Sequence, residues 1–188
     1  MIIAVRDISE LENNKNAVST LRYISEMDGL TNIFNRAAME KKISDHILNH
    51  PDEPALIMLL GLDNFKQVND VFGHMEGDNF LIELAQKLKN FCRSSDIVSR
   101  LGGDEFMIFM PCVKAQDIDS LASRIIHALR KEYCQSDTNF EVTASVGIAH
   151  YPKDGNSFAE LYHCADLALY DAKRKGKNCY SKYKNIIL

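Results

Sequence analysis

RLGGDEFMIF, residues 100–109, sets two glycines and two neighbouring acids into a run that otherwise has the composition of a buried β-strand. A two-residue Gly-Gly link between apolar strands is a strong hairpin signal, because the tight primed turns need φ > 0 at both central positions. Strands are therefore expected at Ile97–Leu101 and Phe106–Met110, joined by Gly102 and Gly103, whose bare backbone also lets a ligand approach. Asp104 and Glu105 follow the turn directly. Two adjacent carboxylates cannot both enter a dry core unpaired. They belong either to an ordinary exposed tip or to a site that uses their charge, and this string by itself leaves both readings open.

Outward from the hairpin, helix and strand alternate. ALIMLLGL (55–62) is a continuous apolar run of strand length, the pattern of a central strand covered on both faces. A helix at Arg36–Asn49 precedes it, broken by HPDEP. Residues 64–80 are polar and punctuated by glycine, and Phe80–Phe91 is amphipathic through Leu81, Leu84, Leu88 and Phe91. After the hairpin come a helix near Gln116–Lys131, a strand at FEVTASVGIA (140–149) and a last helix from Ser157 to Arg174, where Glu160 stands three residues after Ser157 as a capping box requires. The order β-α-β-β-α-β implies an α+β sandwich with a mostly antiparallel central sheet surrounded by helices. That arrangement makes the end of LLGLDNF and the tip of RLGGDEF neighbours in space.

The 188 residues suffice for one α/β domain with a short appendage, and 46% hydrophobic with 26% charged residues is a globular composition. A net charge of −4 argues against a general nucleic-acid or anionic-membrane surface, while leaving room for a local basic cluster that takes a small anion. Cys92, Cys112, Cys134, Cys164 and Cys179 form no C-x-x-C pair and are expected to be reduced thiols of a cytoplasmic protein. The N-terminus lacks the pattern of a signal peptide, and ALIMLLGL is too short to span a bilayer, so no membrane segment is expected in this chain. Residues 9–27 are polar with a weak heptad through Leu11, Val18 and Ser25, which fits either a solvated linker helix or a short parallel coiled coil.

RLGGDEF is the signature of the GGDEF domain, the catalytic module of diguanylate cyclases, and the resemblance extends further. DGLTNIFNR (28–36) resembles that family's opening motif, LDNFKQVNDVFGHMEGD (62–78) its nucleotide-binding segment, and YDAKRKGKN (170–178) its closing basic motif. The resemblance implies a cyclase- and polymerase-palm-like sandwich. It also implies a reaction in which two GTP-loaded domains meet as a head-to-head homodimer, each 3′-hydroxyl attacks the other α-phosphate, two pyrophosphates leave and cyclic di-GMP forms. Asp104 would then ligate Mg2+ or Mn2+, with the Leu62 backbone carbonyl as a supplementary ligand. Glu105 would help deprotonate the attacking hydroxyl or join the metal shell.

Asn69 and Asp78 match the guanine readers, an amide for the base edge and a carboxylate for the ring N–H and amino group, a pairing that rejects adenine. His74 matches a substrate contact, though a structural histidine fits equally. Lys66 would neutralise charge developing on the phosphate. Lys173 and Lys177 would hold the β- and γ-phosphates, although basic residues at a helix C-terminus also complement its dipole. Phe65, Gly73 and Gly77 would shape the pocket. Arg93 and Asp96 of RSSD match the family's R-x-x-D product-inhibition site, where a guanidinium stacks on guanine and bridges phosphates.

The match fails at one position. The first metal-binding carboxylate of the family falls at Gly61, leaving only Asp63, which lies roughly 6.5–7 Å further along an extended strand and would reach a metal only by rearrangement. Two functions follow: a diguanylate cyclase holding its metal with Asp104, Glu105 and Asp63, or a degenerate domain that binds GTP or cyclic di-GMP and regulates a partner. IIAVRDISELE also resembles the final strand and exit of a PAS sensor domain. Residues 1–8 would then be the tail of that domain, 9–27 a signalling helix and 28–183 the GGDEF domain.

Overall fold

The computed structural model describes residues 25–135 and 138–184. The expected sensor tail (1–8) and all but the last residues of the expected linker helix (9–27) lie outside the described residues.

The run read as a central strand is β2, Ala55–Asp63, and every one of its residues is buried. It pairs antiparallel with β4 (Glu105–Pro111) on one side and with β6 (Thr138–Tyr151) on the other. The sheet order is β1-β3-β4-β2-β6-β5, where β1 is Phe34–Asn35, β3 Ile97–Gly102 and β5 Lys131–Gln135; β7 (Tyr180–Lys182) runs parallel along β6. Only β1–β3 and β6–β7 are parallel pairs, so the mixed α+β sandwich with a mostly antiparallel sheet is the fold observed.

Successive side chains of β2 point to opposite faces, and this alternation divides the core. Leu56, Met58, Leu60 and Leu62 pack beneath α2 (Phe65–Phe72), α3 (His74–Phe91) and α4 (Ile118–Leu129). Ala55, Ile57 and Leu59 pack against α1 (Arg36–Asn49) and α5 (Phe158–Arg174). Gly61 and Asp63 continue this second face to the C-terminal end of the strand.

Three features differ from the sequence reading. The hairpin turn is Gly103–Asp104, one residue later than expected: Gly102 pairs with Glu105, and the ladder slips between Arg100 and Gly102. Gly102, at φ +147°, thus serves the bulge, and Gly103, at φ +53°, serves the turn. The glycine-punctuated segment 64–80 is helical, because Phe65 and Val68 are buried and Phe72 packs beside them at i, i+3, i+7, a short apolar face that the surrounding polar residues hide. The edge strands β5 and β7 escape a periodicity reading because KEYCQ buries Tyr133 amid polar neighbours and YSK is three residues long.

The capping at α5 forms as expected on one arm, with Ser157 Oγ accepting from the Glu160 N–H at 3.2 Å. The Glu160 carboxylate, however, accepts from the N–H of Asn156, the residue before the cap.

α5 lies directly on β6 at Gly147, where a methyl group would sit 2.0 Å from the Ala165 carbonyl oxygen and 2.3 Å from the Leu169 nitrogen. Both atoms are helix backbone and cannot turn aside. Gly147→Ala is therefore expected to lower unfolding stability by about 1–3 kcal/mol, read as a lower urea midpoint with an unchanged slope.

Candidate functional site

The hairpin tip is fixed by a residue to which the sequence reading gave no role. Arg100 donates from Nε (3.0 Å) and Nη2 (2.7 Å) to the Gly103 carbonyl, and from Nη1 to the Asp28 carboxylate at 3.2 Å. Asp28 in turn accepts from the Thr31 hydroxyl at 2.6 Å and the Thr31 N–H at 2.9 Å. The opening motif DGLT therefore works as a clamp on the turn that carries Asp104. Burial raises the Asp28 pKa, but the Thr31 bonds and then the Arg100 charge outweigh it and hold the carboxyl below its ordinary value. The signal was present in the sequence as the first letter of RLGGDEF, but its partner lies in a separate motif.

Beside the tip lies a cleft of about 330 Å3 lined by Phe65, Lys66, Asn69, His74, Asp78 and Asp104, with Arg100 and Gly103 at its rim. The structure thus gathers Lys66, both proposed guanine readers, His74 and the first acid of the hairpin in one place. Asn64, at the head of α2, makes no side-chain cap and donates its amide to the Glu141 carbonyl; its own carbonyl accepts from the Gln67 N–H at 3.0 Å, and the N–H groups of Phe65 and Lys66 keep their capacity for an anion. Asn69 is placed by the close approach of α3: a methyl group at Gly77 would lie 2.0 Å from Asn69 Oδ1 and 3.3 Å from Phe65 Cζ.

The C-terminal end of β2 is built differently. Asp63 is 2% exposed and is not part of that cleft lining. Its carboxylate accepts from Thr143 Oγ1 at 2.8 Å, from Ser145 Oγ at 2.9 and 3.0 Å and from the Asn178 N–H at 3.1 Å. It fastens β2 to β6 and to the segment after α5, in place of the expected rearrangement towards a metal. Gly61 faces Glu105 across the β2–β4 ladder, and the Leu62 N–H donates to the Asp104 carbonyl at 3.2 Å.

The space over Gly61 is taken by Lys173: a methyl group there would sit 2.9 Å from Lys173 Nζ and 3.1 Å from its Cε. Lys177 instead donates to Asn64 Oδ1 at 3.2 Å. Among the described residues no group of three His, Cys, Asp or Glu side chains is placed to hold a metal ion. With an ammonium where a carboxylate would be needed and Asp63 committed to hydroxyl donors, these residues do not fit a caged Mg2+ or Mn2+ at the end of β2.

Arg93 and Asp96 line a separate cleft of about 630 Å3 together with Phe91, Lys114, Asp117 and Arg124. Asp96 accepts from the Arg93 N–H at 2.8 Å, closing its own turn, and the Arg124 guanidinium lies 4.9 Å from the centre of the Phe91 ring. Burial and then the Asp96 charge push the neighbouring Cys92 thiol up to about 12, which keeps it protonated and inert at neutral pH.

Residues 25–179 match the family described as Diguanylate cyclase, GGDEF domain. The chain belongs to the GGDEF family. The solved GGDEF domain of TpbB from Pseudomonas aeruginosa is 33% identical, superposes with a TM-score of 0.76 and covers 84% of this chain and 94% of its own. Two curated relatives show how the GGDEF domain is distributed. MucR of Pseudomonas aeruginosa, named a bifunctional diguanylate cyclase and cyclic di-GMP phosphodiesterase, is 33% identical over 98% of this chain and 28% of its own length. PdeR of Escherichia coli, named a cyclic di-GMP phosphodiesterase, is 33% identical over 94% of this chain and 26% of its own. The chain therefore spans little more than a quarter of the length of these relatives. No helix among the described residues is long and apolar enough to cross a membrane.

Asp28→Asn is expected to cost about 1–2 kcal/mol at neutral pH by weakening a part-buried, charge-assisted bond. Because the folded carboxyl lies below its unfolded value of about 3.9, that contribution is complete above the unfolded pKa and is lost as pH falls through the folded one. Denaturation curves of Asp28→Asn and the unaltered protein should accordingly converge in acid. Gly77→Ala should leave the melting temperature nearly unchanged, since the displaced atom is the end of a side chain, while weakening guanine-nucleotide binding in a titration about tenfold through the moved Asn69.

Proposed function

We propose that this chain is a GTP-binding GGDEF domain whose capacity to condense GTP into cyclic di-GMP is largely or wholly lost, and that it regulates a longer protein of which it is a part. The observation that carries this reading is the Lys173 ammonium beside Gly61 at the end of β2. Phosphoryl-transfer sites that employ paired dications need carboxylates to hold them, and here β2 brings to the hairpin acids a glycine and a neighbouring positive charge in place of a further carboxylate. Binding of the base is supported by the cleft that gathers Lys66, Asn69, His74, Asp78 and Asp104. In that cleft Asp78 accepts from the guanine N–H groups, Asn69 reads the base edge, and Lys66 with the uncapped head of α2 faces the phosphates.

A second reading, the working cyclase, is favoured by Asp104, Glu105 and Lys66, which all remain in place. It requires two copies of the chain face to face, each presenting one GTP. The family's description and relatives such as TpbB name the cyclase activity, while PdeR is named for breakdown of cyclic di-GMP and MucR for both, so a relative's name does not decide whether this chain turns over GTP. Under both readings the domain works in the cytoplasm, where GTP is available, and the Arg93–Asp96 cleft is the place for cyclic di-GMP.

Incubation of the purified chain with GTP and Mg2+ or Mn2+, followed by chromatography, is expected to yield at most a trace of cyclic di-GMP. Gly61→Asp is expected to form it at least about 100-fold faster than the unaltered chain. Equal product from both proteins would overturn the degenerate reading and favour the cyclase.

A further inference from the structure

We infer that this chain binds the guanosine triphosphate as a metal-free anion, with the Lys173 ammonium supplying at the end of β2 the positive charge that a divalent cation would otherwise bring. The inference rests on the GTP-binding reading and goes beyond it by naming the ionic form that the site selects.

The argument is one of charge and space. A nucleoside triphosphate carries several negative charges, so a site at the hairpin tip that also holds Asp104 and Glu105 needs cations to offset the repulsion. Lys173 extends from the last turn of α5, and its Nζ lies 2.9 Å from where the first side-chain atom of residue 61 would be. Among the described residues its side chain makes no hydrogen bond or ion pair, unlike neighbouring Lys175, which is held by Asp171 and Ser181. The Lys173 position is itself well supported. Asp63 ties β2 to the Asn178 N–H just beyond α5, and Leu169 of the same helix lies 3.4 Å from the space over Gly61. A dication placed at this corner would have the hairpin acids on one side but would meet the Lys173 ammonium and no carboxylate from residue 61, whereas a bare phosphate oxygen would meet a donor that forms a charge-assisted hydrogen bond.

Titration of the chain with GTP in excess EDTA and again in millimolar Mg2+ tests this directly. Affinity in EDTA is expected to be equal to or tighter than in Mg2+, since magnesium lowers the charge of the nucleotide presented to Lys173. Lys173→Met is expected to weaken binding in EDTA about tenfold. Lys153→Met, which removes the same charge from an exposed turn after β6 at the opposite end of the sheet, is expected to leave it unchanged. Gly61→Asp is expected to reverse the preference, binding about tenfold tighter with Mg2+ than without. A loss of tenfold or more on removing magnesium from the unaltered chain would overturn this inference while leaving GTP binding intact. Absence of binding in both buffers would overturn the GTP-binding reading as well.

Discussion

One guanidinium decides where the functional turn stands. A glycine hairpin is soft by nature, and the bulge at Gly102 loosens the ladder immediately before the tip. Arg100 offsets this by gripping the Gly103 carbonyl with two donors and the Asp28 carboxylate with a third nitrogen. The planar fork suits the task, because its donors are fixed relative to one another and ordering them costs little. Asp104 follows the gripped carbonyl, so its position in the cleft is inherited from a contact between the beginning of the domain and its middle.

The central strand then divides the labour. Its alternation sends Leu60 and Leu62 to the α2–α3 side and Gly61 with Asp63 to the α5 side. The cleft grows from α2 and α3, whose close approach at Gly77 sets Asn69. Charge at the strand end grows from α5, whose intimate contact with β6 at Gly147 brings Lys173 over Gly61. The two halves of the site thus ride on separate layers joined by a single buried strand.

Much of this was legible in the residues. The continuous apolar run gave β2 its central place, the hairpin and the sandwich order followed from spacing, and the motif at 62–78 marked the cleft residues that the structure gathers. Gly61 was visible as a missing acid. What fills that corner was not, because Lys173 and Gly61 lie far apart in the chain and meet only through the packing of α5. The structural engagement of Asp63 is hidden for the same reason: its partners Thr143, Ser145 and Asn178 belong to β6 and to the loop beyond α5. The turn was misplaced by one residue because two glycines satisfy either register, and the backbone chose the one that allows a bulge.

The buried engagement of Asp63 bears on how such a domain tolerates change. Position 63 knots two strands and a loop through hydroxyl and amide donors, so its loss would leave buried donors unpaired where β2, β6 and that loop meet. Position 61, two residues earlier on the same face, supports no architecture of its own. A side chain at 61 would meet mainly the flexible end of Lys173, so the charge of this corner can change there without threatening the fold.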